Sequence, residues 1–142
     1  MIESEGIGSN DNDTTIPTSA AVKDYVDTAA GAGSISWQEV TSTSQAAVTN
    51  GGYIANNASL VTITLPTTAA VGSTVRVIGK GAGGWRIAQN SGETIHFGAS
   101  STTAGTGGYI GSTNRYDTVE IVCVTANTTW VVASSVGNIT VA

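Results

Sequence analysis

A serine-histidine-acid triad in this sequence would have to use His96, because no other histidine is present. No G-x-S-x-G elbow or other nucleophile signature surrounds any serine, and a place beside Thr94, Ile95 and Phe97 suits a structural strand histidine. Three copies of His96 meeting on a trimer axis could bind a transition metal ion, since imidazole is a common ligand. From residue 35 onward the carboxylates are Glu39, Glu93, Asp117 and Glu120. A glycosidase needs two carboxyl groups roughly 5 to 9.5 Å apart across a sugar, and the spacing of these four singles out no pair. They read as solvent-facing strand positions or as partners of Arg76, Arg86 and Arg115. No catalytic residue is assigned, and no enzyme is expected.

The segment Gly79-Lys80-Gly81-Ala82-Gly83-Gly84 has the literal spacing G-x-G-x-x-G and follows a strand pattern. Dinucleotide binding also requires a helix N-terminus directly afterwards to face the pyrophosphate. Trp85-Arg86-Ile87 is a strand pattern instead, so the expectation is a hairpin over Val75–Ala88 with a glycine-rich tip. In it Val75, Val77, Trp85 and Ile87 share one face, Arg76 and Arg86 the other. Trp85 is expected buried and the tip around Lys80 exposed. Asn10-Asp11-Asn12-Asp13 resembles the start of a calcium loop but lacks the glycine and the closing glutamate. No metal and no cofactor are expected.

Trp37, Trp85, Trp130, Tyr53, Tyr109 and Tyr116 are the aromatic residues that a sugar-binding face would use, stacking a ring while a polar tip hydrogen-bonds. Trp85 and Trp130 open strands whose next residues are apolar, which favours core or interface packing. Tyr109, Asn114, Arg115 and Tyr116 have turn-like surroundings and are the candidate ligand-binding residues. Cys123, the single cysteine, lies in the apolar run 119–124; it reads as an inert buried thiol, and no disulfide can form within the chain.

Ten acidic against five basic residues give a formal charge of −5, which repels nucleic-acid phosphate and argues against that partner. No apolar run reaches the roughly 20 residues of a membrane helix, so membrane insertion is not expected. Only 11% of residues are charged and 18 are glycine, so Ser, Thr, Asn and Gly must cover the surface, as in extracellular β-proteins. Met1–Gly6 is acidic and has no secretory signal pattern. The expectation is a chain exported without such a signal, or a piece of a longer protein.

These residues must be positioned by two kinds of element. Ile16–Gly31 is the one helical pattern, with Thr18 or Ser19 as cap, Gly31 as stop and Lys23 with Asp27 as an i,i+4 pair. Val22, Tyr25, Val26 and Ala29 form its apolar stripe. So short a helix is marginal alone, and the stripe must pack on the chain's own β-region or on sister chains as a coiled coil. The loose linker Ala30–Ser34 favours the second. The division expected is 1–34, a lead and helical connector, and 35–142, a β-domain.

From Ile35 the signals are short strands between Gly, Asn and Ser clusters. Leu60–Leu65 alternates strictly, with Val61, Ile63 and Leu65 on the apolar face. The stretch Gly98–Gly108 is low-complexity and reads as an exposed loop. Thr118–Val124 is apolar on both faces, as inside a sandwich or against a neighbouring subunit. Asn138–Val141 can add an edge strand. The fold class expected is mainly β: an antiparallel β-sandwich or jelly-roll-like domain of roughly eight strands, preceded by one short α-helix, and trimeric.

The segment Ile16-Pro17-Thr18-Ser19-Ala20-Ala21-Val22-Lys23-Asp24-Tyr25-Val26-Asp27 resembles the connector found in many bacteriophage tail fibres. Gly52–Pro66, Val71–Val77 and Gly83–Phe97 also resemble C-terminal modules of tail-fibre-like and surface proteins. The resemblance implies a homotrimeric fibre tip, in a virion or a cell-surface fibre, that adsorbs to a bacterial surface glycan or protein. A structural trimerisation cap without a ligand, or a glycan-cleaving tailspike, are the alternatives. The H-x-H motifs that many fibres place on the trimer axis are absent from this sequence, and no binding position carries over.

Overall fold

Val61, Ile63 and Leu65 are buried while Thr62 and Thr64 are only half-buried, so the alternation of side chains sets one face of this strand inward. The same period of two holds from Thr74 to Gly79 and from Thr118 to Cys123. The computed structural model describes residues 35–142, and Ile35–Ala142 forms one unit. The helical connector, with Val22, Tyr25, Val26 and Ala29, lies outside the described residues.

The described residues form twelve strands. In chain order they are β1 (Ser36–Val40), β2 (Ser44–Ala46), β3 (Gly51–Ala55), β4 (Val61–Thr64), β5 (Thr74–Gly79) and β6 (Trp85–Ala88). Then follow β7 (Thr94–Phe97), β8 (Ser100–Ser101), β9 (Tyr109–Ser112), β10 (Thr118–Thr125), β11 (Thr129–Val136) and β12 (Ile139–Val141). Seven make one sheet in the order β1-β3-β5-β10-β11-β7-β8, and five the other, β12-β9-β6-β4-β2. Ile139–Val141 is an edge strand, as the sequence suggested.

The first six strands alternate between the sheets, so that β1 with β2, β3 with β4, and β5 with β6 make three stacked coils. Ser36, Gly51 and Val75 stand in one column, and Ser44, Thr62 and Arg86 in another. β9 and β10 then pair antiparallel with β6 and β5 and end the stack.

Two expectations are corrected here. The antiparallel arrangement gives way to mixed sheets, since five of the ten strand pairings are parallel. A jelly roll, antiparallel throughout, does not accommodate them. The hairpin over Val75–Ala88 does not form either, because β5 and β6 belong to different sheets. Residues 80–84 are an arch between the sheets, lying on the arch 56–60 of the coil beside it. Lys80 and Gly81 N–H both donate to the Ala55 carbonyl, and Gly83 N–H to that of Asn57. A Cβ at Gly81 would overlap the Asn57 backbone, and one at Gly83 the Ser59 carbonyl. The glycines let two arches touch; they shape neither a hairpin tip nor a phosphate loop.

One hydrophobic cluster draws on both sheets: Val75, Val77, Val119, Ile121 and Trp130 from one, Val61, Ile63, Trp85, Ile87 and Ile110 from the other. Trp85 is fully buried, as expected, and its indole N–H donates 2.8 Å to the Asp117 carbonyl. Cys123 is buried too. On the outer side of β10, Val122 is half-buried and Val124 exposed. The stretch Gly98–Gly108 is more ordered than a free loop. Buried Gln89 donates to the Glu93, Thr103 and Gly105 carbonyls and accepts from the Thr102 hydroxyl, which is itself buried.

Candidate ligand-binding groove

Outward residues of the seven-stranded sheet form rows across its strands, because neighbours in register share a face. One row runs Trp37, Gly52, Arg76, Glu120, Ser134 over β1, β3, β5, β10 and β11. The next runs Glu39, Ile54, Ile78, Thr118, Val136. Between Trp37 at one side and Ser134, Ser135 and Val136 at the other lies an open groove of about 380 Å³, floored by Arg76, Ile78, Thr118 and Glu120.

Gly52 makes the groove possible. A Cβ there would come within 2.6 Å of two carbons of the Trp37 indole, so only glycine lets that ring lie down over the β3 backbone. Trp37 is 43% exposed and Val136 68% exposed, so both present apolar surface to the groove. In the floor Arg76 donates through Nε and Nη2 to Glu120 Oε2 at 3.0 and 2.8 Å, and the Ser134 hydroxyl donates to Oε1 at 3.3 Å. Opposite charges directly across neighbouring strands are a favourable pair, and here they cancel each other. The groove therefore offers an aromatic wall, hydroxyl and guanidinium donors and a carboxylate acceptor, with no net charge. Such a surface suits a neutral polyhydroxylated ring, whose C–H face covers the indole while its hydroxyls meet the polar floor.

At the end of the second row, Glu39 is bound by Lys80 at 3.0 Å and by the Asn56 amide. The hydrogen bond from Lys80 holds its carboxyl below the usual carboxylate range, helped by Asn56 and by the charge of Lys80. The Lys80 side chain is about half exposed, so the ammonium is both solvated and a link between an edge strand and an arch.

The residues singled out by sequence fall in two places. Asn114, Arg115 and Tyr116 are exposed on the turn between β9 and β10. Arg115 lies over the Tyr116 ring at 5.3 Å and donates through Nε to the Lys80 carbonyl, while Tyr116 adopts φ 72°. Tyr109 is half-buried on β9, with the Arg86 guanidinium over its ring at 3.9 Å. The groove of Trp37 includes none of the four. Trp37 was visible in the sequence as an aromatic residue, but its partners come from strands 39 to 99 residues away, and only register unites them.

Two carboxylates expected to face solvent or to pair with an arginine are instead buried, Glu93 at 1% and Asp117 at 4% exposure, and neither is in an ion pair among the described residues. Each holds a turn. Asp117 Oδ2 accepts the Thr113 and Asn114 N–H groups, both at 2.9 Å, and Glu93 Oε1 accepts the Asn90 N–H at 2.7 Å. They adjoin opposite ends of β6, Asp117 beside Trp85 and Glu93 beyond Ala88. Among the described residues no group of three His, Cys, Asp or Glu side chains is placed to hold a metal ion. Compared with family models and with curated proteins, the chain matches none.

Proposed function

We propose that this chain is an attachment module of the tail-fibre type, a homotrimer that binds a bacterial surface glycan without cleaving it. The observation carrying the binding part is the Trp37 groove, an exposed aromatic platform facing a neutralised Arg76–Glu120 pair and serine hydroxyls. The tail-fibre part is supported by the resemblance of Ile16–Asp27 to fibre connectors and by the stacked coils, which suit an elongated assembly. The apolar stripe Val22, Tyr25, Val26 and Ala29 is the trimer contact in this reading.

The test is a glycan array of bacterial surface polysaccharides probed with the labelled chain, followed by calorimetry on the hits. Wild type binds a neutral saccharide, and Trp37→Ala weakens that binding by about tenfold or more, as expected for loss of a stacking platform. Binding that survives Trp37→Ala unchanged removes the groove from the proposal.

A structural cap is the second reading, favoured by β9 and β10, which end the coil stack antiparallel. It requires that no surface glycan bind and that Trp37→Ala leave host adsorption intact.

A further inference from the structure

Arg86 projects from the outer face of the five-stranded sheet, in a row with Thr62, Gly111 and Thr140 on β4, β9 and β12. Gly111 stands beside it in register and carries no side chain. The space this leaves is a depression of about 130 Å³, lined by Leu60, Arg86, Tyr109, Ser112 and Thr140. That is roughly four water volumes at ~30 Å³ each, enough for a carboxylate and part of one ring.

Arg86 is the uncompensated charge here. The ion pairs among the described residues are Arg76–Glu120 and Lys80–Glu39, and Arg86 belongs to neither. Its Nε is buried and has no hydrogen-bond partner, a costly state for a charged group. Its guanidinium is held over the Tyr109 ring at 3.9 Å, so the plane of donors is fixed in advance. Nε is closed off, so the two Nη groups are the donors open to a ligand, and this fixed pair fits a carboxylate, whose two oxygens accept parallel N–H bonds. Beside it Leu60 and Tyr109 give apolar surface, and Ser112 and Thr140 give hydroxyls, the surroundings that a sugar ring uses.

We infer that this depression is a second binding site, specific for the carboxylate of an acidic sugar. It lies on the other sheet from Trp37, and it does not depend on the groove described above.

The test is titration of the isotope-labelled full chain, followed by NMR, with D-glucuronate, D-glucose, methyl D-glucuronate ester and acetate. Glucuronate is expected to shift the Arg86 Nε–H signal and the Gly111 and Ser112 amides, whereas the two neutral sugars leave them in place. Acetate binds about tenfold more weakly, and Arg86→Gln weakens glucuronate by about tenfold or more, the scale of one charge-assisted pair. Trp37→Ala leaves glucuronate binding unchanged. The site is overturned by absent or unlocalised shifts, by an equal response to neutral sugars, by acetate matching glucuronate, or by Arg86→Gln binding as wild type. Should Arg86→Gln not fold, the wild-type shifts and the acetate comparison decide alone.

Discussion

Glu93 places a carboxylate where water does not reach. One oxygen accepts from Asn90, whereas Oε2 is buried without a partner. An unpaired buried charge costs more than an unpaired buried amide, and Glu93 holds its turn through one oxygen only. Glu93→Gln keeps the acceptor for Asn90 and removes the charge, so it is expected to match or exceed wild-type stability in urea denaturation. Glu93→Ala strands the Asn90 N–H and is expected to lose about 1–3 kcal/mol. An alanine variant more stable than the glutamine one contradicts this assignment. If glycan cleavage were found and Glu93→Gln abolished it, the reading of Glu93 as a turn-holder would fall too. A sequence shows that Glu93 follows Asn90 by three residues, but not that the glutamate leaves the surface. That step depends on Gln89, whose amide gathers three carbonyls and closes the turn over them.

At the scale of elements, the glycines at 81 and 83 record contact between arches, which is a more exacting demand than a turn. Gly83→Ala pushes a methyl group into the Ser59 carbonyl, a backbone atom that cannot rotate away. It is expected to destabilise by about 1–3 kcal/mol, the usual range for overpacking. Gly79→Ala meets its nearest neighbour, a carbon of the Trp85 ring, only at 3.3 Å and is expected to lose less. Thermal unfolding of both variants checks the order, and a reversed order removes the arch contact as the cause. Much was legible at this scale: the inward face at Val61–Leu65 and the buried Trp85 and Trp130 follow from alternation. The direction of the chain after each turn was not. A glycine-rich turn that returns along the same sheet and one that crosses to the other sheet use the same residues. The coils also differ in length, since Ser36, Gly51 and Val75 are spaced by 15 and then 24 residues, so no repeat marks them.

For the whole molecule, the proposed attachment role needs several copies, because one shallow groove holds a neutral sugar weakly and multivalency supplies the rest. The 142-residue chain is expected to have three times its 14.2 kDa mass by light scattering at micromolar concentration. Charged substitutions at Val22 and Val26 together are expected to return it to one. A monomeric wild type excludes the trimer. The candidate site was the least legible part of the sequence. Asn114, Arg115 and Tyr116 announced themselves by being adjacent and polar, whereas Trp37, Arg76, Glu120 and Ser134 meet only through pairings across four strand boundaries.

The position of Trp37 has a mechanical side. Among the described residues β1 and β2 each have one sheet neighbour, and β1 is exposed over most of its length, so the first coil is the natural place for fraying. A ligand reaching from Trp37 to Ser134 crosses four strand gaps, about 19 Å at ~4.8 Å each. It would act as a cross-brace, lashing the loosest coil to the middle of the sheet, so that the grip on a host surface and the stiffness of the gripping element rise together.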